Sequence, residues 1–129
     1  PEIRPLEHCP ESEVVQVIAF FSVSSEPYIM SDILRECDSY RWHPSFADVI
    51  AKGNSKSTGI DAVLRHCGIE LSEAMAFGDG GNDIPMLRHV PCSVAMGNAS
   101  DIVKSNARYV TASVDDDGIA EFLTKTGLI

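Results

Sequence analysis

Gly78-Asp79-Gly80-Gly81-Asn82-Asp83 decides the reading of this chain. It stands between the apolar run Ala74-Met75-Ala76-Phe77 and the segment Ile84-Pro85-Met86-Leu87. An apolar run, a glycine-rich polar loop and a proline-opened apolar segment predict a buried strand, a loop and a helix start. Pro85 suits a first helical turn, where a missing N–H costs nothing. Two carboxylates and an amide then sit at the carboxyl end of a strand, where open α/β sheets bind ligands. Asp79 and Asp83 offer hard oxygen donors of the kind Mg²⁺ takes. Gly78, Gly80 and Gly81 allow backbone angles that other residues avoid and let a ligand approach closely. The loop reads as a site for a divalent cation and phosphate.

Glycine, aspartate and asparagine also build plain turns, so the string alone leaves that reading open. A nonapeptide calcium loop needs tandem repeats, and the chain has none. An EF-hand needs a bidentate Glu at its twelfth position; counted from Asp79, that position is Val90.

The flanking sequence favours phosphate. Upstream lies Gly53-Asn54-Ser55-Lys56-Ser57-Thr58-Gly59, after which Ile60, Val63, Leu64 and Cys67 fall on one helical face. Gly68 suits the C′ position of that helix. Lys56 therefore sits at or just before a helix N-terminus, where a cation opposes the helix dipole; by itself the residue reads as an ordinary solvated lysine, and its placement suggests a negative partner. Lys52, four residues earlier, lacks that context and serves as an internal control. Downstream, Val94-Ala95-Met96 reads as a strand ending in a Gly97-Asn98 turn. Helix signals follow at Asp101–Val103, then a short strand at Arg108–Thr111, a turn at Asp115–Gly118, and an amphipathic helix marked by Ile119, Phe122 and Leu123. Alternation of this kind implies parallel strands with crossover helices, and apolar strands without polar alternation imply burial on both faces.

Taken together, Gly-Asn-Ser-Lys56, Phe-Gly-Asp79-Gly-Gly-Asn82-Asp83, Val-Ala-Met-Gly-Asn-Ala, Tyr-Val-Thr and Asp-Asp-Gly118 resemble the C-terminal part of a Cof-like sugar phosphatase, a branch of the haloacid dehalogenase superfamily. The resemblance covers roughly residues 47 to 129 and keeps motif order and spacing. It implies Mg²⁺ as cofactor and the following roles. Asp79 would coordinate Mg²⁺ directly. Asp83 would hold a metal-bound water or orient Lys56. Lys56 would neutralise the phosphate and the nucleophilic carboxylate. Asn82 would hydrogen-bond a phosphate oxygen or position Lys56. Phosphoryl transfer calls for such residues because its catalysis is mostly positioning and electrostatic stabilisation.

The family's nucleophile, an aspartate in a DxDGT-type motif, has no counterpart here. Asp115-Asp116-Asp117-Gly118 has the composition but comes late and follows no strong apolar strand. A Ser or Thr for the second motif is also missing. The chain is therefore expected to be a fragment: the end of an α+β cap domain over residues 1–51, then the second half of a Rossmann-like α/β core over residues 52–129. Within 1–51, Val14 to Phe21 predict a long strand with Val15, Val17, Ala19 and Phe21 on one face, and Pro27 to Leu34 a helix. Ser39–Trp42 and Phe46–Ala51 predict a hairpin joined at His43-Pro44-Ser45. Trp42, His43 and Phe46 either face substrate or pack the hairpin, and turn and aromatic chemistry favour packing.

Of the 129 residues, 10 are Lys or Arg and 19 Asp or Glu, a formal net charge of −9. Such a balance disfavours nucleic acid and anionic membranes as partners; the partner that the resemblance implies is a small phosphorylated metabolite. Cys9, Cys37, Cys67 and Cys92 have no CxxC spacing; Cys67 and Cys92, in apolar contexts, are expected to be buried free thiols. His8, His43, His66 and His89 lack metal-ligand spacing. No apolar run approaches a membrane span and no signal peptide is visible, so a cytoplasmic location is expected. The central strand at 74–77, without a neighbour from the missing half, is expected to leave a sheet edge open to self-association.

Three function classes follow. The first is a Mg²⁺-dependent phosphatase acting on small phosphate monoesters through an aspartyl-phosphate, inactive as this chain alone. The second is the phosphorylation domain of a P-type ATPase, whose GDGxND loop is similar but which needs a DKTGT motif and membrane helices. The third is a non-catalytic module that holds a metal or anion.

Overall fold

A computed structural model describes residues 14–129; Cys9 and His8 lie outside the described residues. The chain divides into two units, residues 1–54 and 55–129.

The first unit is a three-stranded antiparallel sheet in the order β1-β3-β2, with β1 at Val17–Ala19, β2 at Cys37–His43 and β3 at Phe46–Ala51. Ala47 and Val49 are buried and pair across with Ala19 and Val17. A short helix, α1 (Glu26–Tyr28), runs into a π-helical turn at Ile29–Ile33. Glu26 accepts hydrogen bonds from Ser39 Oγ and Arg41 Nε, both at 2.6 Å, which ties α1 to β2. Arg41 also donates to the carbonyls of His43, Pro44 and Phe46 and, at 3.1 Å, to that of Phe21. The hairpin turn is thereby pinned from behind, while Phe46 gathers Phe20, Trp42 and His43 with ring centroids 4.7–5.4 Å away.

Two expectations are corrected here. The long strand over Val14–Phe21 shrinks to the three residues that β3 can pair, and Val15 and Phe20 remain exposed. The helix over Pro27–Leu34 is one helical turn followed by a wider π-turn, and it buries no residue.

The second unit is α/β. Its sheet is parallel, in the order β4-β5-β6, with β4 at Met75–Gly78, β5 at Cys92–Ala95 and β6 at Tyr109–Val110. Helices α3 (Ile84–His89) and α4 (Asp101–Lys104) form the two crossovers. Leu87, Ala95, Ala99 and Val103 make the core on that side. Burying a side chain such as Leu87 contributes about 1.5–3 kcal/mol. On the other side Phe122 of α5 (Gly118–Lys125) meets Phe77 edge-on at 5.8 Å and Tyr109 at 5.6 Å. β4 and β5 are buried or half-buried along their length, which is why they read as apolar without alternation, while β6 stays exposed.

Helix α2 (Lys56–Cys67) starts at a capping box: Ser55 Oγ accepts from the Thr58 amide at 3.1 Å, and Thr58 Oγ1 accepts from the Ser55 amide at 2.8 Å. It ends at Gly68 in the left-handed region, φ 67°. No residue of α2 is buried. Its apolar side, Ile60, Val63 and Leu64, lines an open groove of about 520 Å³ with Met75, Met86 and Val90. Cys67 is accordingly exposed and Cys92 half-buried, which corrects the expectation of two buried thiols. Among the described residues, the outer edge of β4 pairs with no strand. No helix is long and apolar enough to cross a membrane among the described residues.

Candidate cation and phosphate site

The chain leaves β4 at Gly78, passes Asp79 and Gly80, and makes a tight 3-10 turn at Gly81–Asp83 before α3 opens with Ile84 and Pro85. That turn folds Asp83 back under the loop. Its Oδ2 accepts from the backbone N–H groups of Asp79 and Gly80, both at 3.0 Å. A Cβ on Gly78 would stand 2.7 Å from Asp83 Cβ, and one on Gly80 would stand 2.5 Å from Asn82 Oδ1. The glycines at 78, 80 and 81 all avoid positive φ. The freedom of angle that glycine allows is not used at these positions: Gly78 and Gly80 leave room for the side chains of Asp83 and Asn82.

Asp83 is 5% exposed, and its Oδ1 forms an ion pair with Lys56 Nζ. The first residue of α2 and the last of the β4–α3 turn meet across 27 positions of sequence. Burial pushes the Asp83 carboxyl up, but the Lys56 ammonium and the Gly80 and Asp79 amides outweigh it, and the net shift is down. A depressed folded pKa contributes stability that is complete above the unfolded carboxylate value of about 3.9 and is lost as pH falls through the folded value. Stability measured in metal-free buffer is therefore expected to fall more steeply below pH 4 in the native chain than in Asp83→Asn. Parallel pH curves for the two would contradict this account of the loop.

Asp79 is exposed at the mouth of the loop. Its Oδ2 accepts from Asn98 Nδ2 at 3.1 Å, and Asn98 Oδ1 accepts from the Val114 amide, also at 3.1 Å. Asn82 is half-buried beside Gly80, and the Lys56 ammonium reaches Asp83 rather than Asn82. Lys56, Asp79, Asn82 and Asp83 thus gather at one end of the sheet. Asn98 was missed in the sequence reading. The signal for it is an amide just beyond the carboxyl end of β5, whose Ala95 is in register with Gly78.

Among the described residues no three His, Cys, Asp or Glu side chains cluster closely enough to hold a metal. The donor set nevertheless fits Mg²⁺, which keeps several waters and takes one or two carboxylates plus substrate phosphate. Asp79 presents an outward carboxylate for that purpose. Both Asp83 oxygens already accept hydrogen bonds from the protein, so of its two expected roles the geometry suits the orientation of Lys56.

A family model described as haloacid dehalogenase-like hydrolase matches residues 2–123. YkrA of Bacillus subtilis (strain 168), provisionally named a phosphatase, is 38% identical over 117 residues, covering 91% of this chain and 45% of that protein. A solved sugar phosphatase of subclass IIB superposes with a TM-score of 0.80 at 50% identity, over 91% of this chain and 45% of the other. A phosphatase from Bacteroides thetaiotaomicron gives 0.83 at 44% identity, over 91% and 43%. The chain thus spans less than half the length of these relatives.

Proposed function

The chain belongs to the haloacid dehalogenase-like hydrolases, and from that premise we propose that it is part of a Mg²⁺-dependent phosphatase of small phosphate monoesters, sugar phosphates foremost. Residues 52–129 supply the cation- and phosphate-binding half of its core, and residues 1–51 the end of its cap. The free thiols of Cys37, Cys67 and Cys92 suit a reducing compartment such as the cytoplasm.

One observation carries the reading: the Lys56 ammonium is held by buried Asp83 at the same strand end where Asp79 faces outward. Asp83 fixes the ammonium before substrate arrives, and Lys56, half-exposed, neutralises phosphate as a point charge. Asn82 donates its amide to a phosphate oxygen. Asp79 would hold Mg²⁺, which when bound would offset charge on the transferring phosphoryl group. The nucleophile would be an aspartate of the full-length parent protein. Its carboxylate oxygen would bond to phosphorus as the ester P–O bond breaks and the alcohol departs, and water would then cleave the aspartyl-phosphate, releasing inorganic phosphate and restoring the carboxylate.

Hydrolysis of p-nitrophenyl phosphate by the parent, titrated with Mg²⁺, tests this. Asp79→Asn is expected to raise the Mg²⁺ needed for half-activation more than Asp83→Asn does. Equal or reversed effects would overturn the division of labour between the two carboxylates, and turnover without Mg²⁺ would overturn the class.

A further inference from the structure

Asn98 sits outside the loop that carries Lys56's partner, yet it is the residue that grips Asp79. Its amide nitrogen donates to Asp79 Oδ2 and its amide oxygen accepts from the Val114 N–H, each at 3.1 Å. Only one orientation of the amide meets both demands, because a carboxylate needs a donor and a backbone N–H needs an acceptor. The turn bearing Asn98 is itself seated firmly. Gly97 N donates to the Ala112 carbonyl at 2.9 Å. A Cβ on Gly97 would come within 2.6 Å of Ser113 N and 2.7 Å of Ala112 C, so the turn rests directly on the backbone that precedes Val114.

From this arrangement we infer that Asn98 is a positioning residue for Asp79: anchored on Val114, it fixes the carboxylate through Oδ2 and leaves Oδ1 to meet the cation. The inference rests on the cation-binding reading of Asp79. The residue type follows from the geometry. An aspartate at 98 has no proton to give Asp79 at neutral pH. A lysine or arginine would neutralise Asp79 and compete with the cation. A neutral amide orients the carboxylate and leaves its charge in place. The segment after β6 thereby acts on the cation site without touching it, through one side chain.

Val114 allows this to be tested apart from Asn98. It opens the 3-10 turn Val114–Asp116 and is exposed; the preceding Ser113 has φ −64° and ψ 160°. That is the conformation a residue before proline adopts, and proline is tolerated in a first turn. Val114→Pro therefore deletes the N–H that anchors Asn98 with little other change.

The experiment is Mn²⁺ binding to the parent protein, read from the free-ion electron paramagnetic resonance signal, with melting temperatures measured alongside. Removing a group that orients a metal ligand typically costs 10–100-fold in affinity. Asn98→Ala is expected to weaken Mn²⁺ about 10-fold, Val114→Pro to weaken it in the same direction, and the double variant to be no worse than Asn98→Ala, because both act through one link. Crystal structures of metal-free Asn98→Ala are expected to show the Asp79 side chain in more than one rotamer. Asp79→Asn separates the two readings. If it loses Mn²⁺ while Asn98→Ala binds like the native protein, the inference fails and the cation site stands. If Asp79→Asn also binds like the native protein, both fall. Strictly additive losses that track melting temperature would reduce Asn98 to a structural tie and overturn the inference as well.

Discussion

Lys56→Ala in the parent protein is expected to lower phosphate-ester hydrolysis by about 10²–10³, the loss that follows removal of one charge-stabilising contact in a preorganised site. The substitution acts twice. It takes away the cation that faces phosphate, and it leaves buried Asp83 without the ammonium that balances it. Melting measurements separate these effects, and Lys56→Gln, which keeps a donor at that position, retains more stability without restoring the rate. Lys52→Ala is expected to be nearly silent. Lys52 lies in the turn after β3, exposed, and its backbone N–H donates to the Glu36 carbonyl at 2.9 Å, a bond that does not involve its side chain. A Lys52 variant more damaging than the Lys56 one would move the phosphate-facing cation four residues earlier than the account places it.

Purified residues 1–129 are expected to hydrolyse no phosphate ester and to self-associate. The first outcome rests on the proposal that the nucleophile lies outside these residues: no DxDGT sequence occurs among them, and without a nucleophile the covalent path is closed. The second follows from the outer edge of β4, which is unpaired among the described residues, and from the neighbouring open groove lined by exposed Val63 and half-buried Ile60 and Leu64. An unpaired strand edge templates pairing with another chain, and an adjoining apolar groove adds area to bury. An assay of p-nitrophenyl phosphate turnover and light scattering across a concentration series read the two outcomes. A Mg²⁺-dependent rate abolished by Asp79→Ala would show a nucleophile within these residues. A monomer at every concentration, with strongly protected amides at 75–78, would show that β4 is covered.

The order of elements in residues 55–129 was legible because each signal was local. Pro85 opens a helix, Gly68 closes one, and Val94-Ala95 needs no partner to read as a buried strand. The meeting of Lys56 with the 78–83 loop was legible because strand ends and helix starts converge in parallel sheets. What escaped depended on which neighbour a residue finds. The length of β1 was set by how much of β3 it could pair with, and Val15 and Phe20 found no partner there. The exposure of Cys67 reflects an α2 face left open, something a helical periodicity cannot reveal. The requirement for Gly78 and Gly80 lies in the side chains folded against them, not in backbone angles. Asn98 escaped because its two hydrogen bonds join three segments, 79, 98 and 114, that only the sheet brings together.

Backbone amide shifts in the parent protein, followed as Mg²⁺ and inorganic phosphate are added together, test the central claim most directly. The account predicts the largest shifts at residues 78–83 and 55–58, with Lys56→Ala and Asp79→Asn each suppressing them. Shifts centred elsewhere, or unchanged by either substitution, would contradict the assignment of this strand end as the cation and phosphate site.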